Sequence, residues 1–489
     1  MNPRSSGVAL VFVLWLMVLL SAVALEMAFR GHLRVQVTAS TGETAKAFYL
    51  ARAGIEQSLA NLAETAELDL DTETQEREDE EQFVNVPFGE GSYTLYAGMD
   101  ETGEPRYGLA DEAAKLNINT ADAAVLQKVP MLTPDIVGSL DNVRKRQPFQ
   151  DIKDLLMFEG VDMLLLFGED VNENGLLDAN EDDGDETWPP DNGDGMLDCG
   201  WSAMLTTWSA SRNVSSDGQE RVNLNDADAD EITKAVSEID TQHADSIVAR
   251  REQGELGSVL DLLDVEMVEK VEASNEQQQQ QQNGQQNQPP PENQNNEQNG
   301  KQSNGGDKKE GKNDKDSKDN KDGKNGNNGQ ESKEGEQNSE QEEKKSGEKP
   351  KYTYKSTGQK AFDQDSLKRI ADRLTTSDDE VQTGLVNINT ASMEVLSCLP
   401  GLDESLAQSI VMARDGRAGG FPSTMDLLDV SGMTVDILKQ FYGLVATRSD
   451  VFTARSIGVL RGGAVRANVS AVLDRTESNV RIRYWQEHD

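Results

Sequence analysis

The densest chemistry in the sequence lies in twelve residues, Asp170-Val-Asn-Glu-Asn-Gly-Leu-Leu-Asp-Ala-Asn-Glu181. Oxygen-bearing side chains at alternate places, a glycine in the middle and a glutamate at the end match the EF-hand loop spacing D-x-[DN]-x-[DN]-G-x₅-E. Hard donors at that spacing suit calcium. The expected ligands are Asp170, Asn172, Asn174, the backbone carbonyl of Leu176, Asp178 and a bidentate Glu181, with Gly175 allowing the sharp turn. Without a cation the packed carboxylates would repel one another. A second acidic stretch, Asp191-Asn-Gly-Asp-Gly-Met-Leu-Asp198, repeats the Gly-x-Leu-Asp ending but has Trp201 where a closing glutamate would fall. Its expected ligands are Asn192, Asp194 and Asp198, helped by Asp182, Asp183 or Asp185. For both stretches the alternative is a solvated acidic loop. Trp188-Pro-Pro190 breaks the region where a paired EF-hand would need a flanking helix, so the loop reads as a calcium staple rather than a calcium sensor.

Other chemistry is sparse. His32, His243 and His488 are scattered, and Cys199 and Cys398 stand far apart, so no Ser/His/Asp or Cys/His constellation emerges and no enzyme is expected. Whether the cysteines pair stays open. Cys398, between Leu396 and Leu399 in a helical pattern, reads as a buried free thiol. The chain has 489 residues and a net charge of −41, from 88 acidic against 47 basic side chains. Such a surface repels nucleic acid and anionic lipid and favours divalent cations.

The elements that must position these groups repeat three times. Leu116-Asn-Ile-Asn-Thr-Ala121, Val222-Asn-Leu-Asn-Asp-Ala227 and Val386-Asn-Ile-Asn-Thr-Ala391 each open a helix, with Thr120, Asp226 and Thr390 as expected N-caps. A tight turn and a second helix follow. In the third copy these are Leu399-Pro-Gly-Leu402 and about 404–414, then Gly420-Phe-Pro and Met425-Asp-Leu-Leu-Asp-Val430. The first copy places Val129-Pro-Met-Leu132, Arg144, Phe149 and Asp154-Leu-Leu156 at matching positions, and the second places Arg250 and Leu260-Asp-Leu-Leu-Asp264 there. From about Ala273 to Lys349 the chain is Gln-, Asn-, Lys-, Asp- and Gly-rich, cannot bury a core and is expected to be disordered. Strand-like stretches stand on both sides of the repeats, at 83–86, 92–96 and 106–112 and again at 451–459, 464–473 and 479–485, which suggests one sheet interrupted by helices.

The blocks resemble the helix-hairpin-helix module, best known from non-specific DNA binders, where a hairpin glycine lets backbone N–H groups approach a phosphate. Only Gly401 keeps that glycine. Met131 replaces it in the first copy and Ser237-Glu238 occupy the region in the second, while basic clusters are as short as Arg144-Lys-Arg146, so nucleic acid is not the expected partner.

At the N-terminus, Gly7 precedes an apolar run from Val8 to Leu25. Eighteen helical residues at ~1.5 Å each span ~27 Å, near the ~30 Å bilayer core. This resembles the prepilin-type signal of type IV pilins and type II secretion pseudopilins, in which a membrane peptidase cuts after the glycine, here between Gly7 and Val8. The fifth residue after that point is Phe12 rather than the family's glutamate, which resembles the K-type minor pseudopilin at a filament tip; a helix-hairpin-helix component of DNA uptake and a minor type IV pilin, which shares the leader, are the alternatives. The closing strands and the helical insert resemble the same family. The resemblance implies an α+β chain: a pilin-like long transmembrane helix and antiparallel sheet with a large inserted all-α domain of helix-hairpin-helix-like repeats. Its expected divisions are a leader at 1–7, an N-terminal helix at 8–63 spanning the membrane over 8–25, a sheet domain at 83–115 and 450–487, and an inserted α-domain at 116–445 holding the 169–200 calcium loop and the 273–349 tract. It further implies calcium binding, an inner-membrane single-pass anchor with the bulk in the periplasm, and as partners the I-, J- and H-type minor pseudopilins, the prepilin peptidase and the inner-membrane secretion platform.

Overall fold

The computed structural model describes residues 5–68, 80–99, 104–184, 186–272, 352–460, 463, 465–477 and 479–488. Residues 1–4 of the expected leader, Asp185 and the tract expected to be disordered at 273–349 lie outside them.

Helix α1 runs 64 residues, Ser5–Leu68, through Gly7 and Val8 and past the expected end at 63. From Leu10 to Lys46 every side chain is exposed, and burial begins at Ala47. The helix is long and apolar enough to cross a membrane. Its last third lies on an antiparallel sheet of β1 (Val86–Phe88), β2 (Gly91–Met99), β3 (Pro105–Tyr107), β4 (Ala110–Asp111), β5 (Val451–Leu460), β6 (Arg466–Asp474) and β7 (Arg481–His488). The strand order is β1-β2-β5-β6-β7, with β3 on β2 and β4 on β5. Alternate residues of the strands share a face, so Leu95, Phe452, Ala454, Val469, Ala471 and Leu473 form one core with Ala51, Ile55 and Leu62 of α1. The chain is therefore α+β. Phe83-Val-Asn-Val86, expected as a strand, is not one: Phe83 ends a short helix, and Asn85 turns left-handed (φ 50°) with its N–H donating to the Thr94 hydroxyl at 2.9 Å, so the strand begins at Val86.

Helix and sheet meet backbone to backbone. A Cβ on Gly458 of β5 would lie 2.1 Å from the Ala47 carbonyl oxygen and 2.3 Å from the Ala51 nitrogen, and one on Gly54 would lie 2.3 Å from the Ser456 hydroxyl. Both positions need glycine because there is no room for a side chain.

The insert between β4 and β5 is three copies of one module. Each opens with a two-residue strand (Leu116–Asn117, Val222–Asn223, Val386–Asn387), which pairs in parallel with a closing strand (Leu205–Thr206, Leu374–Thr375, Val445–Ala446). Between them come a first helix (Ala123–Leu126, Ala229–Ala235, Met393–Ser397), a second (Pro134–Arg144, Thr241–Arg251, Glu404–Asp415), a 3-10 turn (Ile152–Met157, Val259–Asp264, Thr424–Asp429) and a third helix (Met163–Phe167, Gln364–Ile370, Val435–Phe441). The insert is thus not all-α. The Asn-Ile-Asn and Asn-Leu-Asn openings are extended because their backbone pairs with the end of their own module. The expected N-caps Thr120, Asp226 and Thr390 stay in the turn after that strand, where each backbone N–H reaches the carbonyl of Asn117, Asn223 or Asn387. Asp122, Asp228 and Ser392 take the cap positions two residues later. Leu140, Leu155, Ile232, Leu262, Ile410 and Leu438 belong to one core continuous across all three modules.

Module and sheet join at a buried ion pair. Asp450, wholly buried between the third module and β5, accepts from Arg475 Nε at 2.9 Å, from Arg212 Nε at 3.2 Å and from the Arg212 backbone N–H at 2.6 Å. Its own N–H donates to the Ala210 carbonyl, and its carbonyl accepts from the Arg475 N–H. The strand Ala210–Arg212, which leaves the first module, also pairs with Val381–Thr383 ahead of the third. Contacts divide the chain into two units, 1–269 with 356–489, and 270–355. In the second, the Thr353 hydroxyl donates to the Val271 carbonyl at 3.3 Å and Lys270 Nζ stands 4.8 Å from the Tyr352 ring centre.

Replacing Gly458 with valine forces β5 off α1. The expected loss is about 1–3 kcal/mol or more, read as a lowered melting temperature; an unchanged melt would show that helix and sheet are not in contact there.

Candidate functional site

The acidic region leaves and rejoins the first module at one point. A Cβ on Gly168 would lie 2.2 Å from the Asp198 carbonyl oxygen, and one on Gly200 would lie 2.7 Å from the Gly168 nitrogen, so the two ends of the excursion touch through bare backbone. The Glu169 N–H donates to the Asp198 carbonyl at 2.7 Å, and the Asp198 N–H donates back to Glu169 Oε2 at 3.1 Å.

Within it the first stretch curls into a ring. Asp170 Oδ2 accepts from the Gly175 N–H at 3.1 Å, Asn172 Oδ1 from the Asn174 N–H at 2.9 Å, Asn174 Oδ1 from the Leu176 N–H at 2.7 Å, and Glu181 Oε2 from the Asp178 N–H at 3.0 Å. These turns orient the expected side chains. Asn172 Nδ2 donates to both Asp178 and Glu181, at 3.0 and 3.1 Å, and Asn174 Nδ2 donates to Asp178 at 2.7 Å. Among the described residues no three His, Cys, Asp or Glu side chains stand together as a metal group. Here three carboxylates alternate with two amides, and the amide nitrogens bridge them.

Two observations fit a hard cation to this donor set. Asp170 and Glu181 are only 4% and 1% exposed, and Asp170 Oδ1 is buried with no hydrogen-bond partner. Burial pushes the Asp170 carboxyl up to about 7 despite the opposing charge of Arg455, and burial pushes Glu181 up to about 7 as well, with Asp178 and Glu169 adding repulsion. A cation among these oxygens would relieve both. Leu176, expected to ligate through its carbonyl, lies in the ring directly after the turn at Gly175.

The second stretch is organised differently. Asn192, Asp194 and Asp198 each accept the N–H two residues ahead, at 2.9, 2.9 and 2.8 Å. They shape turns, and their side chains are exposed. The centre is Asp191, which the spacing did not single out. It accepts N–H groups from Asp183, Gly184 and Gly193. Burial alone would raise its carboxyl, but these amides outweigh burial and hold it low. Asp182, one of the expected helpers, accepts from Gly195 N–H at 3.0 Å. Nearby Cys199 and the buried Cys398 are both free, and burial pushes the Cys199 thiol up to about 12, so it stays protonated.

One arginine of each module is committed to the fold. Arg144 Nη1 donates to the carbonyls of Ile118 and Ala121, and Arg414 Nη1 to those of Ile388 and Ala391. In the second copy the equivalent residue is Arg251, whose Nη1 reaches Leu224 and Ala227. Arg250, expected at that place, instead donates to the Gly254 carbonyl at 3.1 Å, because the second helix, capped by Asp240, starts one residue later after its opening strand than the helices capped by Thr133 and Asp403 do. Asparagines complete the pattern. Asn119, Asn225 and Asn389 each clasp one backbone residue through both its N–H and its carbonyl: Phe149, Leu256 and Phe421. The hairpins diverge. Gly401 and Met131 are left-handed, at φ 77° and 62°. A Cβ on Gly401 would meet the Gln440 amide at 3.0 Å. Lys128 Nζ is used on the Ser397 and Leu399 carbonyls, at 3.2 and 2.7 Å.

Residues 381–446 match the family described as helix-hairpin-helix motif. That span covers the third module. Comparison with curated proteins and with solved structures gives no match.

Arg251→Met should cost ~1.5–3 kcal/mol by removing charge-assisted hydrogen bonds to two carbonyls, whereas Arg250→Met should cost within about 0.5 kcal/mol. Denaturant unfolding of the two variants distinguishes them, and equal losses would refute the assignment of Arg251.

Proposed function

We propose that this chain is a non-enzymatic minor pseudopilin of a type II secretion system, of the K type. It would be anchored in the bacterial inner membrane by the apolar part of α1, with its bulk in the periplasm at the tip of the pseudopilus. The observation that carries this reading is the division of α1: everything from Leu10 to Lys46 is exposed, while the helix from Ala47 to Leu62 is seated on an antiparallel sheet that a helical insert splits between β4 and β5. An exposed apolar helix needs lipid or the helices of like subunits to cover it. The I-, J- and H-type minor pseudopilins are the partners this reading assigns, the bulk of the insert blocks addition of a subunit above, and the secretion platform lies below. The prepilin peptidase would cut between Gly7 and Val8.

The same reading assigns calcium to Asp170, Asn172, Asn174, Leu176, Asp178 and Glu181. Held there, the ion would neutralise two buried carboxylates and close the excursion against the first module; Asn192, Asp194 and Asp198 belong to a second, looser acidic turn beside it. A second reading, duplex DNA binding in a DNA-uptake system, is favoured by the match over 381–446. Against it, Arg144, Arg251 and Arg414 are spent on carbonyls, and the net charge of −41 opposes the polyanion.

Calcium at a hundred times its dissociation constant should stabilise the protein by ~2.7 kcal/mol. Chelator should remove that gain, and Asp170→Asn should abolish it; a melt indifferent to both would dismiss calcium. Co-expression of the full-length chain with the I- and J-type pseudopilins of the same organism should yield a co-purifying assembly. Failure to associate, together with salt-sensitive duplex binding, would replace the pseudopilin reading with the DNA-uptake one.

A further inference from the structure

Beneath the acidic ring lies a cation supplied by the sheet. Arg455 stands in β5 opposite Tyr96 of β2 and Ser470 of β6. It lines a cavity of about 100 Å³ between the sheet and the first module, shared with Glu112, Lys115, Asp170 and Glu173. Its stem passes under the ring's sharp turn, where a Cβ on Gly175 would lie 3.5 Å from Arg455 Cδ and 3.7 Å from Nε.

Of the other charges around that cavity, Glu112, Lys115 and Glu173 are paired, and Asp151 caps the 3-10 turn by accepting the Lys153 N–H at 2.9 Å. Lys153 Nζ bonds Glu173 at 2.7 Å and also reaches Gln486 of β7 at 3.0 Å. Lys115 lies 3.5 Å from Glu112, which also accepts from the Thr453 hydroxyl at 2.6 Å. Arg455 is the sheet's contribution to the positive charge of that cavity. Lining the same cavity is the carboxylate whose Oδ1 is buried without a partner, Asp170. The charge of Arg455 acts to lower both Asp170 and Glu112.

We propose that Arg455 is a positioning residue of the acidic ring: it serves as the resident counter-cation of Asp170, keeps the ring closed when no divalent ion is present, and weakens binding of that ion by competing for the same carboxylate. This rests on the calcium reading above. A guanidinium is permanently charged and cannot withdraw by losing a proton. An incoming ion therefore has to share Asp170 with a positive charge fixed in the sheet, and like charges at short range in a poorly solvated cavity oppose one another.

The test uses the full-length chain in detergent, with calcium titrated by calorimetry and terbium luminescence as a second readout. Arg455→Met should bind calcium about tenfold more tightly while its calcium-free form melts at lower temperature, so that the calcium-induced rise in melting temperature grows. Arg455→Lys keeps the charge and should stay within about twofold of the wild type; Arg455→Gln serves as a second neutral variant if the methionine form folds poorly. A merely structural arginine would lower both melts equally and leave the dissociation constant unchanged, and that result would overturn the proposal. Absence of binding by the wild type would instead overturn the calcium reading on which it rests.

Discussion

A carboxylate with no access to water is tolerable only if every lone pair is met, and Asp450 is such a group. Two guanidiniums and a backbone amide converge on it, while its own backbone bonds to Ala210 and Arg475. Its position explains why so much depends on it. Four segments meet there: the exit of the third module, the start of β5, the end of β6 and the strand leaving the first module. Removing one partner of a buried pair leaves the other charged and unsolvated, at a cost of about 3–5 kcal/mol. A hydrophobic replacement could hold the segments together as well, but would not fix which strand meets which. The pair therefore acts as a register mark, setting the insert on the sheet so that Asp111 of β4 can receive the Asn387 amide at 2.9 Å and Glu112 the Thr453 hydroxyl.

Much of this architecture was legible in the residues because it is local. The Asn-x-Asn openings, the Asp-Leu-Leu turns and the apolar periodicity of each module report short-range packing, and the structure keeps their order. What escaped were offsets of one or two residues. Thr120 and Asp122 are both good capping types, and only the pairing of Leu116–Asn117 with Leu205–Thr206 decides that the helix starts after the second. Spacing points to Arg250, and only the one-residue shift of the second helix puts Arg251 against the carbonyls of Leu224 and Ala227 instead. The acidic ring was legible for the same reason, being built from consecutive Asx turns. The role of Asp191 depends on amides eight and seven residues earlier, Asp183 and Gly184, and that of Arg455 on a strand almost three hundred residues away; no local pattern carries such information.

The module also shows why a shared motif is a weak guide to ligand. In each copy an arginine from the second helix and an asparagine from the opening turn satisfy backbone groups that would otherwise be buried without partners. These are requirements of the scaffold and persist whatever the hairpin does. The hairpin itself is free to change, from left-handed Gly401 to left-handed Met131 to a second copy in which Glu238 occupies the place.

The three modules are interrupted at different points, the first after its third helix and the second before it, and the third is uninterrupted. The first interruption begins and ends at Gly168 and Gly200, whose backbones touch. Because its two ends already meet, the excursion adds chain without stretching the module that carries it. The first module can close on itself by the same path as the third, which makes the acidic ring a graft whose root is two glycines and one backbone hydrogen bond, with the Lys153–Glu173 pair as a second stitch farther along.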